Sequence, residues 1–273
     1  MLFDWYAAGV VDSPDYVLSH LSDAFDLSDI QRAAPRNGYT DAAKIVRGST
    51  TLCEVLWGGN TGDRVLVVAT GANASPVASL VRSEWPDHHL VRADVAEDYD
   101  EPDAFAALSA LLLNIADKYR LKVTHYGDWH RCENGRTLYV GSRQSPVMAR
   151  LYEKGVEQRV KGYAPAASLD WVRLEIEVKP KRADARKHLA TLQPDDFMAC
   201  SAWTREVALC LFNSDLVPVT GLGTIKRMSD DERALAALVK QYGALLGRLK
   251  DERGSWDDVG RLLGRMVEDK ETT

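Results

Sequence analysis

The chain has 273 residues, 45% of them hydrophobic and 27% charged, with 34 Lys and Arg against 40 Asp and Glu. This is a globular composition, enough for one large domain or two modest ones, and it excludes collagen-like and disordered chains. A net charge of −6 has the wrong sign for a protein that meets nucleic acid over its whole surface.

The charge is uneven: residues 1–142 carry −8, residues 143–188 carry +5 and residues 189–273 carry −3. The basic segment reads either as a local phosphate-contacting surface or as the solvated face of ordinary strands. Its most apolar stretch, Ala104 to Ala116, is too short to cross a bilayer and predicts a buried helix, with no membrane as partner. Asp4 stands where a secretory signal needs positive charge, so a cytoplasmic location is expected. Cys53, Cys132, Cys200 and Cys210 are far apart with no Cys-x-x-Cys pair, which predicts reduced thiols rather than a zinc site or disulfides.

In chain order, Leu2 to Val11 reads as a strand, and Ser13-Pro14 places an N-cap and a first-turn proline at the start of a helix running to about Phe25. Thr40–Val46, Thr51–Trp57 and Arg64–Ala69 are short β-rich runs separated by turn residues, as consecutive antiparallel strands are. Ser75-Pro76 opens a helix, His89–Asp98 is a strand, and Asp103–Arg120 is a helix too apolar to stand exposed. Lys122–His125, Thr137–Val140, Val147–Lys154 and Trp171–Lys179 follow as strands, the middle pair joined through a turn around Glu133-Asn134-Gly135. This pattern predicts an α+β fold with a largely antiparallel central sheet, helices packed on it, and no internal repeat.

After about residue 180 the pattern turns helical, dividing the chain into a mixed strand-and-helix domain over 1–190 and a mainly helical C-terminal region over 191–273. Ser229-x-x-Glu232 reads as a capping box ahead of Leu235, Leu238, Val239, Tyr242, Leu246 and Leu249. Ser255 caps a last helix with Trp256, Val259, Leu262, Leu263 and Met266 inward. Such helices pack on their own domain or form a homodimer interface.

Alternate side chains of a strand share a face. In Trp171–Lys179 that puts Arg173, Glu175, Glu177 and Lys179 together, and in Arg92–Asp98 it joins Asp94 to Asp98. If both faces looked into one cleft, four acids would offer hard oxygen ligands to a divalent cation. In Val147–Lys154 the same alternation flanks Tyr152 with Arg150 and Lys154, and neighbouring cations favour an ionised phenol, as a nucleophile needs.

Gly135-Arg-Thr-Leu-Tyr-Val-Gly-Ser-Arg-Gln-Ser145, continued by Val147-Met-Ala-Arg-Leu-Tyr-Glu-Lys-Gly155, resembles the signature of the Rep_trans replication initiation factors of rolling-circle plasmids and phages. Arg92-x-Asp94-Val-Ala-x-Asp98 and Trp171-Val-Arg-Leu-Glu-Ile-Glu177 are similar to two further blocks of that family, in the same order. Ala93 departs from the larger apolar residue usual there, and Ser145-Pro146 is unusual before the strand.

The resemblance implies a core distantly related to the HUH endonucleases, with five antiparallel strands, and a DNA-nicking activity. It carries the nucleophile onto Tyr152, with Arg150 and Lys154 beside it, and the ligands of Mg²⁺ or Mn²⁺ onto Asp94, Glu175, Glu177 and Asp98. The reaction implied is attack on origin DNA, single-stranded or cruciform, to give a 5′-phosphotyrosyl intermediate and a 3′-OH. Host polymerase and helicase are the implied partners, since the chain has no Gly-x-x-x-x-Gly-Lys-Ser/Thr loop and Gly221-Leu-Gly223 reads as a turn.

Arg143, Arg159, Lys161, Arg173 and Lys179, with Lys181 and Arg182, are the expected phosphate contacts. Tyr139 and Tyr163 are candidates for base stacking, and Trp171 is expected in the core. His88-His89-Leu90 places its histidines on opposite faces, so the His-hydrophobic-His motif is absent; His125 and His130 read as structural, with His125 a further possible ligand. A relaxase of a conjugative or integrated element would use the same chemistry, and a non-catalytic origin-binding protein would share the fold.

Overall fold

The computed structural model describes residues 1–26, 29–59, 64–219, 222 and 230–271. They fall into two compact units, Met1–Thr224 and Ile225–Thr273. The first is built on β1 (Leu2–Val11), α1 (Pro14–Ala24), β2 (Asp29–Arg32), β3 (Asp41–Arg47), β4 (Thr50–Trp57), β5 (Arg64–Thr70) and α2 (Ala74–Glu84). It continues through β6 (His89–Asp100), α3 (Ala104–Tyr119), β7 (Val123–Gly127), β8 (Arg136–Val140), β9 (Val147–Tyr152), α4 (Lys154–Val160), β10 (Trp171–Val178), α5 (Ala183–Ala190) and α6 (Ala202–Phe212).

All ten strands join one sheet in the order β2-β3-β4-β5-β1-β6-β10-β9-β8-β7, and every pairing is antiparallel. The expected α+β class with a largely antiparallel sheet therefore holds, with nine of the ten strands read from the sequence and a sheet twice the width of the five-stranded core that the resemblance implied. Period-2 alternation gives each inner strand an apolar face. Val55, Val67, Ala8, Val95, Ile176, Ala149 and Leu138 bury theirs in one core with Val17, Leu21, Val77, Val81, Phe105, Leu112 and Ile115 of α1, α2 and α3. A smaller cluster of Ala7, Ala42, Leu56, Leu66 and Val68 lies apart from that core.

Local signals act as the sequence predicts at α1: Ser13 Oγ accepts the Tyr16 amide at 3.2 Å, and Pro14 supplies a first-turn φ without needing a donor. At α2 they do not. The helix starts at Ala74, and Ser75 Oγ instead accepts the Phe3 amide of β1 at 3.1 Å. Glu133-Asn134-Gly135 closes the β7–β8 hairpin rather than the one after it. The short strand β2 was not anticipated, its residues all being exposed.

The expected boundary at 190 falls inside the first unit. Leu189, Ala190, Phe197, Met198, Trp203 and Val207 are buried in its core, and α6 packs on α3. The second unit holds α7 (Asp230–Arg253) packed on α8 (Trp256–Glu271). Ser255 Oγ accepts the Asp258 amide at 3.2 Å as expected of a cap. Of the residues expected inward Val259 is buried, whereas Trp256, Leu263 and Met266 are exposed. The capping residue Ser229 and the turn at Gly221-Leu-Gly223 lie outside the described residues. Among those described, no helix is long and apolar enough to cross a membrane. All four cysteines are free, Cys53 and Cys200 in the core.

Candidate active site on the outer face of the sheet

The register of three strands assembles the site. β10 pairs Glu177 with Asp94, Glu175 with Ala96 and Arg173 with Asp98 on one side. On its other side the same residues face Met148, Arg150 and Tyr152 of β9. Directly opposed residues share a face, so Asp94, Asp98, Arg150, Tyr152, Arg173, Glu175 and Glu177 meet on the side opposite Leu174, Ile176 and Val95, away from the main core. Tyr139 extends this face onto β8, opposite Arg150.

Tyr152 is only 8% exposed, but its surroundings are polar: its hydroxyl donates to Glu175 Oε1 at 2.6 Å. Glu175 Oε2 accepts from Arg150. The Arg150 guanidinium and the Lys154 ammonium stand 5.2 and 5.3 Å from the Tyr152 ring centre. One edge of Tyr152 lines a cleft of about 200 Å³ with Arg136, Glu157 and Lys161.

Asp94 is gripped by both nitrogens of the Arg92 fork, at 2.8 and 2.6 Å, and Arg92 also reaches Glu177 Oε2 at 2.8 Å while lying 4.4 Å over the Trp5 ring. Lys179 Nζ pairs with Glu177 Oε1 at 2.6 Å. Burial, reinforced by the charges of Glu177 and Glu175, pushes the Asp94 carboxyl up to about 6 against the pull of Arg92.

Two expectations change here. The phenol of Tyr152 is raised, not lowered: burial acts first, and Glu175, as both charge and acceptor, stabilises the protonated form more than Arg173 opposes it. Lys154 is not on the strand, since β9 ends at Tyr152 and Lys154 opens α4, where it bonds Glu157 at 2.7 Å. Its ammonium still reaches the Tyr152 ring, from the helix.

The expected metal ligands divide. Asp98 stands apart, accepting two bonds from Arg173 at 2.7 Å each and one from Trp171 Nε1 at 2.8 Å. Burial opposes its ionisation, but those donors hold its carboxyl below the usual range. Asp94, Glu175 and Glu177 do come together, yet Arg92, Arg150 and Lys179 occupy their oxygens. Among the described residues no three Asp, Glu, His or Cys side chains form a group that could hold a metal ion as they stand. Chemically the three carboxylates, brought to one face by the pairing of β6 with β10, are the donor type a hard divalent cation takes. His125 pairs with Leu138, on the opposite face, and packs on Trp129 at 4.4 Å.

The expected phosphate contacts also divide. Arg173 is buried and locked between Asp98 and Asp4, the latter at 2.5 Å, so it builds the site rather than meeting a ligand. Arg143 is exposed, its guanidinium 5.5 Å from the Tyr139 ring centre. With Lys122, Thr124, Tyr126, Gln144 and Met148 they line a cleft of about 440 Å³ without an acidic side chain. Lys179 reaches Glu177 and the Arg143 carbonyl. Exposed Arg159 and Lys161 lie at the end of α4, tied to the Ala167 carbonyl and to Glu157. Lys181, Arg182 and Tyr163 are exposed, and Trp171, expected in the core, is half-buried with its indole N–H on Asp98.

Sequence reasoning missed Arg92, Asp4 and Trp5 as parts of this site. Arg92 was legible as the strand neighbour of Asp94; Asp4 and Trp5 arrive only through the pairing of β1 with β6.

No curated protein matches this chain. Among solved structures it is similar to the rolling circle replication initiator protein from Geobacillus stearothermophilus, with a TM-score of 0.51 over 85% of this chain and 89% of that one. At 18% identity that is a likeness of fold. Residues 94–202, which hold the nucleophile candidate and all four acids, match the replication initiation factor family, Rep_trans, that their motifs resemble.

Proposed function

We propose that this protein is a rolling-circle replication initiator that nicks and rejoins origin DNA through Tyr152. The observation that carries the proposal is the 2.6 Å bond from the Tyr152 hydroxyl to Glu175, on a face shared with Asp94 and Glu177, inside the segment matched to replication initiation factors.

A buried neutral phenol is a poor nucleophile and needs a base in contact. Glu175 is that base: it takes the proton as the Tyr152 oxygen attacks the scissile phosphorus. The P–O3′ bond breaks, the 3′ oxygen leaves and takes a proton from solvent to become a hydroxyl, and the 5′ phosphate remains on Tyr152. The ester keeps the energy of the broken bond, so the reverse attack by a 3′-OH rejoins the strand and returns the proton from Glu175 to Tyr152.

Arg150, which shares the Glu175 carboxylate with the Tyr152 hydroxyl, and Lys154, over the Tyr152 ring, place positive charge around the nucleophile. Asp94, Glu175 and Glu177 would hold Mg²⁺ or Mn²⁺, which supplies charge neutralisation at the scissile phosphate when bound. Arg92 and Lys179 must then give up part of their hold. The cleft of Lys122, Tyr126, Tyr139 and Arg143 suits a single strand, with cations for its backbone and ring faces for its bases. Host helicase and polymerase complete the replication reading, because a nick with a free 3′-OH supplies a primer and no unwinding.

The test uses purified full-length chain, Mn²⁺ or Mg²⁺, and 3′-labelled single-stranded oligonucleotides tiling the gene and its flanks. A covalent protein–DNA species that is lost in Tyr152→Phe supports the proposal. Sequence-specific binding with no adduct from any oligonucleotide overturns it in favour of a non-catalytic origin-binding protein.

A further inference from the structure

The sheet order conceals a repeat. Each half begins with an inner strand, passes through a helix to the sheet edge, and returns by a meander of four strands that ends beside the first. In one half this is β1, α1, β2, β3, β4, β5 and then α2; in the other it is β6, α3, β7, β8, β9, β10 and then α5. The two orders are mirror lists about the β1–β6 pair, as a two-fold axis normal to the sheet requires. Packing follows: α2 contacts β1 as α5 contacts β6, and α1 contacts β3 and β4 as α3 contacts β8 and β9.

Register fixes the axis to a single residue pair. β1 and β6 each carry one bulged residue, Asp4 and Val91, and each lies two residues before the central pair Tyr6–Ala93. A chance resemblance of topology does not place two bulges symmetrically.

From that axis the ladders give every counterpart. Asp94 corresponds to Ala7, Glu177 to Val68 and Glu175 to Leu66; across the next ladder Arg150 corresponds to Leu56, and Tyr139 to Ala42. These five counterparts are the whole of the small second cluster. On the core face the counterparts stay apolar, as with Ile176 and Val67 or Ala149 and Val55.

We infer that the chain is a tandem pair of one βαββββα module, in which the C-terminal copy keeps a polar reaction site and the N-terminal copy has the same site filled with apolar side chains. The inference rests on the reading of that face as a nicking site. Its content is that Asp94, Tyr139, Arg150, Glu175 and Glu177 are present for chemistry, because the same fold is built without them in its first half. The N-terminal half is then an architectural copy whose Gly58, counterpart of Tyr152, carries no nucleophile.

The test exchanges the four charged residues for their counterparts, as D94A/R150L/E175L/E177V, beside E175L alone. Leu at 175 strands Arg150 and the Tyr152 hydroxyl without an acceptor, so the melting temperature falls by about 5–10 °C. Removing the charges as a block removes the stranded Arg150 guanidinium and leaves unpartnered only the Tyr152 hydroxyl, as in E175L, and Arg92, whose head reaches solvent, while Lys179 keeps the Arg143 carbonyl. The fourfold variant therefore recovers at least half of that fall while forming no adduct with the 3′-labelled oligonucleotides. A fourfold variant that melts below E175L, or does not fold, overturns the inference, since the charges would then hold the fold. Wild-type chain that forms no Tyr152 adduct defeats the nicking reading instead, and leaves the melting comparison to decide this one.

Discussion

Glu175→Gln separates chemistry from binding. The glutamine is nearly isosteric at a site 2% exposed, so the sheet has no reason to repack. Its amide keeps one acceptor oxygen where the carboxylate offered two, one to Tyr152 and one to Arg150. One buried donor is left unpaired, and a charged partner is lost from Arg150, whose side chain is 35% exposed and can turn to water. The cost in stability is about 1–3 kcal/mol, or a fall in melting temperature of roughly 3–10 °C for a unit of this size.

The chemical cost is larger. Without a base the phenol must lose its proton unaided, and removal of a positioned general base slows proton transfer by roughly 100- to 10,000-fold. Affinity for single-stranded DNA moves less than about threefold, since the exposed cations of the clefts are untouched. Single-turnover adduct formation on a 3′-labelled oligonucleotide and fluorescence anisotropy on the same strand read the two effects separately. Equal loss of both, or an unchanged nicking rate, would refute the assignment of Glu175 as the base.

Asp94→Asn tests the buried carboxyl. A carboxyl raised to about 6 when folded favours folding in its protonated form, so its contribution is complete below its unfolded value near 4 and is lost as pH rises to 6. The unfolding free-energy advantage of wild type over the variant, read by chemical denaturation, should shrink by up to about 3 kcal/mol across that window and stay flat above it; a constant difference would contradict the raised value. Arg173→Ala should cost about 3 kcal/mol by stranding Asp4 and Asp98. Arg143→Ala should leave melting unchanged and reduce the salt slope of single-strand binding by about 0.7; reversed phenotypes would contradict their placement. Gly155→Ala should destabilise by about 3 kcal/mol, because its Cβ would lie 1.6 Å from the Ser168 carbonyl oxygen, and thermal melting at wild-type temperature would show that the approach of α4 to β10 is not required.

The face pattern was legible because strand alternation is local: Glu175 and Glu177 share a face whatever they pair with. Partners were not, because register is set by turns and by the burial of whole faces. Without the register, Tyr152 read as a phenol between two cations; with it, the nearest group is the Glu175 carboxylate, and the sign of its shift reverses. The alternation of polar residues ran on past Tyr152 and carried Lys154 with it, although Gly155 signals the close approach that needs a turn there. The boundary near 190 came from a change in periodicity, which marks the end of the strands and says nothing of where Phe197, Trp203 and Val207 are buried. The repeat left no trace in the sequence because its counterparts, Glu175 and Leu66 for example, differ in chemistry and agree only in pairing.

Peptide mapping of the covalent species by mass spectrometry addresses the nucleophile itself. The expected product is a single peptide containing Tyr152 with a nucleotide attached through its 5′ phosphate. An adduct on another tyrosine, or one that survives in Tyr152→Phe, would contradict the account.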